Sequence, residues 1–224
     1  VTHLNSHNRL IAVDGIDGSG KTTLVERIYE LLLEEIPDVQ IIRCALLGPG
    51  SISAIVRSAI EQRGQDRSKT TMAVWMASAI LETYHLWIKP QLDAGHYVIV
   101  DRWIGSYLAY QCYAEGTPIA SSLYYHALLK ELVQPGLYIW CDPGMDTVEA
   151  RLAKRSNLSS YDQETEAFKR TVISGYKDYY LDRVNSHKAS NSDNDIITNY
   201  RYDDQQLDDD AALIQLLVDS DIIT

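Results

Sequence analysis

The segment LIAVDGIDGSGKTTLVERI, residues 10–28, constrains the fold more than any other part of this 224-residue chain. A short apolar run, Leu10 to Val13, leads into glycines at 15, 18 and 20. After them Leu24, Ile28 and Leu31 to Leu33 recur near helical spacing. Gly15 to Thr22 fits the G-x-x-x-x-G-K-[ST] pattern, and the flanks supply the strand, loop, helix order that this pattern requires. The glycines let successive backbone N–H groups turn inward, and the positive end of the helix adds to them, so an anion site is expected. Gly15, Asp17, Gly18, Ser19, Gly20, Lys21, Thr22 and Thr23 are therefore candidate nucleotide-binding residues. Lys21 would reach the β- and γ-phosphates as a point charge, and the Thr22 hydroxyl would ligate magnesium. An ordinary glycine turn ahead of a helix is the plainer alternative.

Further apolar runs bounded by turn residues lie at 39–44, 96–102, 137–142 and, more weakly, 195–199, and each reads as a strand buried on both faces. Segments of helical periodicity at 52–62, 72–92, 104–114, 121–132 and 145–155 fall between them. This alternation predicts an α/β fold of three layers, a five-stranded parallel sheet covered by helices on both sides. Ligands collect at the carboxyl ends of such strands. The length allows one substantial core, and residues 1–224 are expected to form a single domain. Residues 186–195 read as a turn-rich linker, and 203–210 as a solvated acidic turn before a last helix.

Composition excludes several function classes. With 20 basic and 31 acidic residues the formal charge is −11, which argues against non-specific binding to nucleic acid or to an anionic membrane, while local basic sites remain open. Cys44, Cys112 and Cys141 are widely spaced and suit a reducing compartment better than a disulfide framework or a zinc site. The start, VTHLNSHNRL, is polar, and no 18-residue apolar stretch occurs, so a soluble cytoplasmic protein is expected.

A second informative stretch is VIVDRWIGSYLAYQ, residues 98–111. It ends a buried strand with Asp101 and Arg102 and then enters a helix. A carboxylate at that strand end would face the phosphate loop and hold magnesium, directly or through water, and the arginine offers a planar fork for a second phosphate. Ser106 and Tyr110 share one helix face, as do Trp103 and Tyr107. A structural ion pair and a plain aromatic core are the competing readings.

The loop GIDGSGKTT, the run IKPQL at 88–92 and DRWIGSYLAYQ at 101–111 together resemble the thymidylate kinase family of nucleoside monophosphate kinases. The last run is the most specific, and the order and spacing of segments agree from about residue 10 to 180. The resemblance implies a P-loop kinase fold with a basic lid, usually homodimeric, that moves the γ-phosphoryl group of ATP to dTMP with magnesium. It gives Lys21 and Thr22 the ATP-phosphate and magnesium roles, sets Asp17 near the sugar 3′-hydroxyl and Asp101 beside magnesium, and puts Arg102 on the acceptor phosphate. Arg57 matches a second acceptor-phosphate arginine, although the loop before it, LLGPGS, departs from the family's acidic-Pro-Gly-Gly pattern.

Residues 151–162, RLAKRSNLSSYD, resemble the family's lid. Ser19 stands where some members place a phosphate-loop arginine, so the catalytic cation is expected from the lid, Arg155 first, then Arg151 and Lys154. A cation delivered on closure would stabilise charge building on the transferring phosphoryl group. Base recognition departs from the family. Counted back from IKP, Met76 falls at the stacking position and Ile80 at the position of a base-reading arginine, while Tyr107 replaces a small polar residue and Gln111 is kept. Trp103 or Trp75 could supply the stacking surface. Three acceptors stay open: dTMP, a modified pyrimidine such as a 5-hydroxymethyl derivative, free or within DNA, and none at all in a non-catalytic nucleotide-binding protein.

Overall fold

The computed structural model describes residues 9–62, 68–117, 120–189, 198–202 and 210–223. Five parallel strands, β1 (Leu10–Gly15), β2 (Ile41–Ala45), β3 (Tyr97–Asp101), β4 (Leu137–Cys141) and β5 (Thr198–Tyr202), lie in the order β2-β3-β1-β4-β5. The helices are α1 (Lys21–Glu35), α2 (Ser51–Glu61), α3 (Lys69–Thr83), α4 (Lys89–Asp93), α5 (Ile104–Tyr107), α6 (Ala120–Glu131), α7 (Met145–Leu152), α8 (Glu166–Ala189) and α9 (Asp210–Asp219).

The sheet is parallel because both of its faces are apolar. Along β1, Leu10 and Ala12 join one core cluster and Ile11 and Val13 the other, all fully buried. The period of two sends alternate residues to opposite layers, and each needs helices to cover it. Leu24, Ile28 and Leu32 of α1 with Leu213 and Leu217 of α9 cover one face. The other carries Ala73 and Ile80 of α3, Ile104 of α5 and Tyr176 and Tyr179 of α8. The three layers expected from the sequence are present.

Several boundaries differ from the sequence reading. Strand β2 is an edge strand with Arg43 and Ala45 exposed, so it is not buried on both faces. The helix expected at 72–92 is interrupted by a π-helical turn at Tyr84–Ile88, and α4 begins with Pro90 in its first turn. Proline has no N–H to continue the ladder, which accounts for a break there. A second π-helical turn, Leu108–Ala114, follows α5. The long helix α8 was not anticipated; its end takes in 186–189 of the expected linker, whose remainder lies outside the described residues. Residues 1–8 and the acidic stretch 203–209 also lie outside them, and the last strand runs to Tyr202.

Helix α8 fits so closely against the turn at Leu108–Ala114 that a Cβ on Gly175 would come within 2.6 Å of the Ala109 Cα and 3.1 Å of the Tyr113 ring. Gly175→Ala should therefore destabilise despite the better helix propensity of alanine, because backbone at that distance cannot yield as a side chain can. A loss of about 1–2 kcal/mol is expected, read as a fall of several degrees in a thermal melt. An unchanged or raised midpoint would contradict this packing.

Candidate active site

Register brings the functional strand ends together: Val13 pairs with Asp101, and Gly15 with Cys141. The phosphate loop follows β1 directly. Gly18 and Gly20 have φ of 83° and 91°, values that favour glycine, and the loop closes with Ser19 N–H donating to the Ile16 carbonyl at 3.1 Å. A Cβ on Gly18 would also meet α7, at 3.1 Å from the Val148 carbonyl. No side chain caps α1, whose first turn carries no acid, so its amino end is left for an anion. Helix α2 is the opposite case: Glu82, reaching across from α3, accepts from Ile52 N–H at 3.0 Å and Ser53 N–H at 3.2 Å. Burial raises the Glu82 pKa, but these bonds outweigh it and leave the carboxyl below its ordinary value.

Two cations meet at Asp17. Arg102 donates to Asp17 Oδ1 at 2.5 Å and Lys21 Nζ lies 3.4 Å from the same oxygen, with Lys21 also donating to the Ile16 carbonyl at 3.3 Å. Burial alone would raise the Asp17 pKa, yet the charges of Arg102 and Lys21 overcome it and hold the carboxyl well below the usual range. Lys21 is pulled down from its ordinary value, first by burial and then by the neighbouring guanidinium, with Asp17 and Asp101 opposing. Burial would lower Arg102 too, but Asp17 and the surrounding oxygens raise it instead. Arg102 sits in the left-handed region at φ 75°, a strained conformation for a non-glycine residue.

Beside this trio the Thr22 hydroxyl donates to Asp101 Oδ2 at 2.9 Å, and Asp101 Oδ1 is buried without a hydrogen-bond partner. Both groups offer hard oxygen, the donor type that suits magnesium with water and phosphate completing the shell.

A cavity of about 530 Å³ opens from this point. Asp17, Lys21, Thr22, Asp101 and Arg102 line one end, and Leu46, Leu47, Met76 and Tyr107 line it with Gln111 and Ser106. The Tyr107 hydroxyl and Gln111 Nε2 are buried without partners. Arg57 reaches the cavity from α2, fixed by donating to the Leu47 and Gly48 carbonyls at 2.7 and 2.9 Å, so it is no loose surface side chain. Ile80 and Trp103 do not line the cavity. Ile80 is 1 % exposed in the core, and Trp103 is fully buried, edge-on to Tyr84 at 6.5 Å. As substrate contacts both are therefore corrected to core residues.

The segment between α7 and α8, expected from the sequence to be a lid, contributes Arg155, Asn157, Ser159, Tyr161 and Asp162 to the cavity lining. Arg155, whose side chain is 48 % exposed, and the buried Asp162 line the cavity 3.9 Å from one another. Arg151 instead donates to the Gly18 carbonyl at 3.3 Å, on the phosphate-loop side. The segment is anchored at two points: Ser160 donates to the Ile60 carbonyl at 2.8 Å, and the Tyr161 ring stands edge-on to Tyr110 at 4.9 Å. Lys154 is exposed, as is Thr23. Glu82, Tyr161 and the buried Asp14 escaped the sequence reading; of these only Asp14, an acid inside an apolar strand, carried a visible signal.

The model of the thymidylate kinase family matches residues 13–199. A thymidylate kinase of Halalkalibacterium halodurans is 30% identical over 193 residues, which cover 84% of this chain and 91% of that relative. The crystal structure of thymidylate kinase from Ehrlichia chaffeensis aligns with a TM-score of 0.65 over 93% of this chain and 97% of that one; at 23% identity the likeness concerns the fold alone.

The depressed pKa of Asp17 has a measurable sign. Its contribution to stability is complete above the unfolded value of 3.8 and is lost as pH falls through the lower folded value. Asp17→Asn leaves the buried Lys21 and the half-buried Arg102 without their shared counter-ion and should cost about 3 kcal/mol at neutral pH. Urea denaturation of both proteins should show that gap closing below pH 4, and a gap that is constant with pH would contradict the arrangement.

Proposed function

Because the chain belongs to the thymidylate kinase family, whose members are ATP-dependent nucleoside monophosphate kinases, we propose that its acceptor is a pyrimidine deoxynucleoside monophosphate, dTMP before others. The observation that carries this reading is one cavity lined both by Lys21, Arg102 and Arg155 and by the less polar Met76, Tyr107 and Gln111. Its volume lies in the range of small-molecule sites. Phosphate and base would occupy the two kinds of wall.

Lys21 would leave Asp17 to contact the β- and γ-phosphates of ATP, and Arg102 would exchange the same carboxylate for the acceptor phosphate. An oxygen of that phosphate then attacks the γ-phosphorus in line, its bond to the ADP oxygen breaks, and ADP and a nucleoside diphosphate leave. The acceptor is already anionic, so orientation and charge neutralisation dominate. Arg155, free enough to move, would meet the equatorial oxygens on closure, with Arg151 on the donor side. Magnesium, held by Thr22 and Asp101, would neutralise phosphate charge. Ser106, Tyr110 and Arg57 would complete the acceptor's surroundings, and Tyr107 and Gln111 would offer their unpartnered groups to the base.

We read residues 1–224 as one catalytic domain and propose the homodimer usual in the family; Ile55, Leu86 and Leu123 expose apolar surface for it. No helix among the described residues is long and apolar enough to cross a membrane. The unpartnered Tyr107 hydroxyl also favours a second acceptor, a 5-hydroxymethyl pyrimidine, whose added oxygen would meet a hydrogen-bonding group. The formal charge of −11 favours a free nucleotide over DNA.

The test is ADP formation with magnesium-ATP across dTMP, dUMP, 5-hydroxymethyl-dUMP, dCMP and dGMP. A preference for dTMP is expected. Preference for the modified nucleotide would select the second acceptor, and silence on all of them would leave only nucleotide binding. Lys21→Ala should remove transfer from a folded protein, and chelation of magnesium should do the same to the wild type.

A further inference from the structure

Tyr176 lies on α8, fully buried, and does not line the cavity. Its hydroxyl nonetheless meets three groups of the site: Arg102 Nη1 at 2.9 Å, the Gly15 carbonyl at 3.0 Å and Ser106 Oγ at 2.8 Å. Ser106 Oγ donates onward to Asp14 Oδ1 at 2.6 Å, and the same oxygen accepts the Trp103 N–H at 2.9 Å. A guanidinium can only donate, so the Tyr176 oxygen accepts from it. The tyrosine proton then passes to Ser106 or to Gly15, and the serine proton to Asp14. Every link in the row Arg102, Tyr176, Ser106, Asp14 can thus point the same way and end on a carboxyl.

Counting the donors of Arg102 shows what this row does. Of five N–H groups, both on Nη1 are committed, one to Gly15 at 2.9 Å and one to Tyr176, and one on Nη2 goes to Asp17. The Nε–H is uncommitted, and Nη2 is released when the phosphate takes the place of Asp17; Nε and Nη2 are neighbouring donors of the kind that match two phosphate oxygens. We propose that Tyr176 is a positioning residue: by occupying Nη1 it fixes the rotation of the guanidinium, so that its Nε and Nη2 donors receive the acceptor phosphate. This rests on the reading of Arg102 as the acceptor-phosphate arginine. It explains how a side chain on a left-handed backbone, with its planar head among several oxygens, keeps one orientation.

Steady-state kinetics of Tyr176→Phe with magnesium-ATP and the preferred monophosphate test the role. The acceptor KM should rise about ten-fold, the loss expected when one charged hydrogen bond no longer holds the arginine, while the ATP KM stays within about two-fold. Arg102→Lys should also raise the acceptor KM, and in the Tyr176→Phe background it should add much less than the product of the single effects. Equal rises in both KM values, no rise for the acceptor, or strictly multiplicative effects would overturn the positioning role. An Arg102→Lys protein with an unaltered acceptor KM would instead remove the reading of Arg102 on which it rests. Should Tyr176→Phe fail to fold, arginine side-chain NMR of the wild type decides. The Arg102 Nη1 protons should stay protected from solvent exchange when the monophosphate is added, while Nε–H shifts; loss of that protection on binding would overturn the proposal.

Discussion

Two positive side chains aimed at one buried point repel each other, and in this protein the Asp17 carboxylate keeps them there. Lys21 comes from the first turn of α1 and Arg102 from the end of β3, and both meet the same Asp17 oxygen. Around that meeting the other features fall into place: the unblocked amino end of α1, the Thr22–Asp101 bond, and the strained backbone of Arg102. The carboxylate stands in for phosphate charge. A ligand bringing its own negative charge can therefore exchange with it without large rearrangement, which is preorganisation in the electrostatic sense.

The parts of this arrangement that are local in sequence were legible. A glycine-rich turn between an apolar strand and an amphipathic helix has few physical meanings, and strand ends bearing Asp and Arg next to it have fewer. Parallel pairing followed from apolar residues on both faces of the central strands, as Leu10 and Ile11 show by entering opposite cores. Contacts made across the fold were not legible. Glu82 lies some thirty residues from the helix it caps, and nothing near it in the chain marks that partner. Tyr176 sits in a helix with two other tyrosines, Tyr179 and Tyr180, and only the approach of α8 to the phosphate loop sets it apart. Ile80 entered as a contact from counting positions back from IKP, and Trp103 as an alternative stacking surface; the fold buries both side chains in the core.

Lid and acceptor side are tied together by the same kind of long-range contact. Ser160 holds the last turn of α2, the helix that also carries Arg57, while Tyr161 packs on Tyr110 beside Asp17. The segment that would bring Arg155 to the reacting phosphates thus rests on elements that would hold the acceptor.

The π-helical turn at Tyr84–Ile88 bears on how such a pocket can change. Each residue of an α-helix advances by about 100°, so one residue gained or lost in that turn would rotate the whole of α3 relative to β3 by about that angle. Side chains would trade places between core and cavity without a single substitution among them. A lineage carrying this fold could thus explore new acceptors by changes of length as well as of residue, with the sheet and the phosphate loop left untouched.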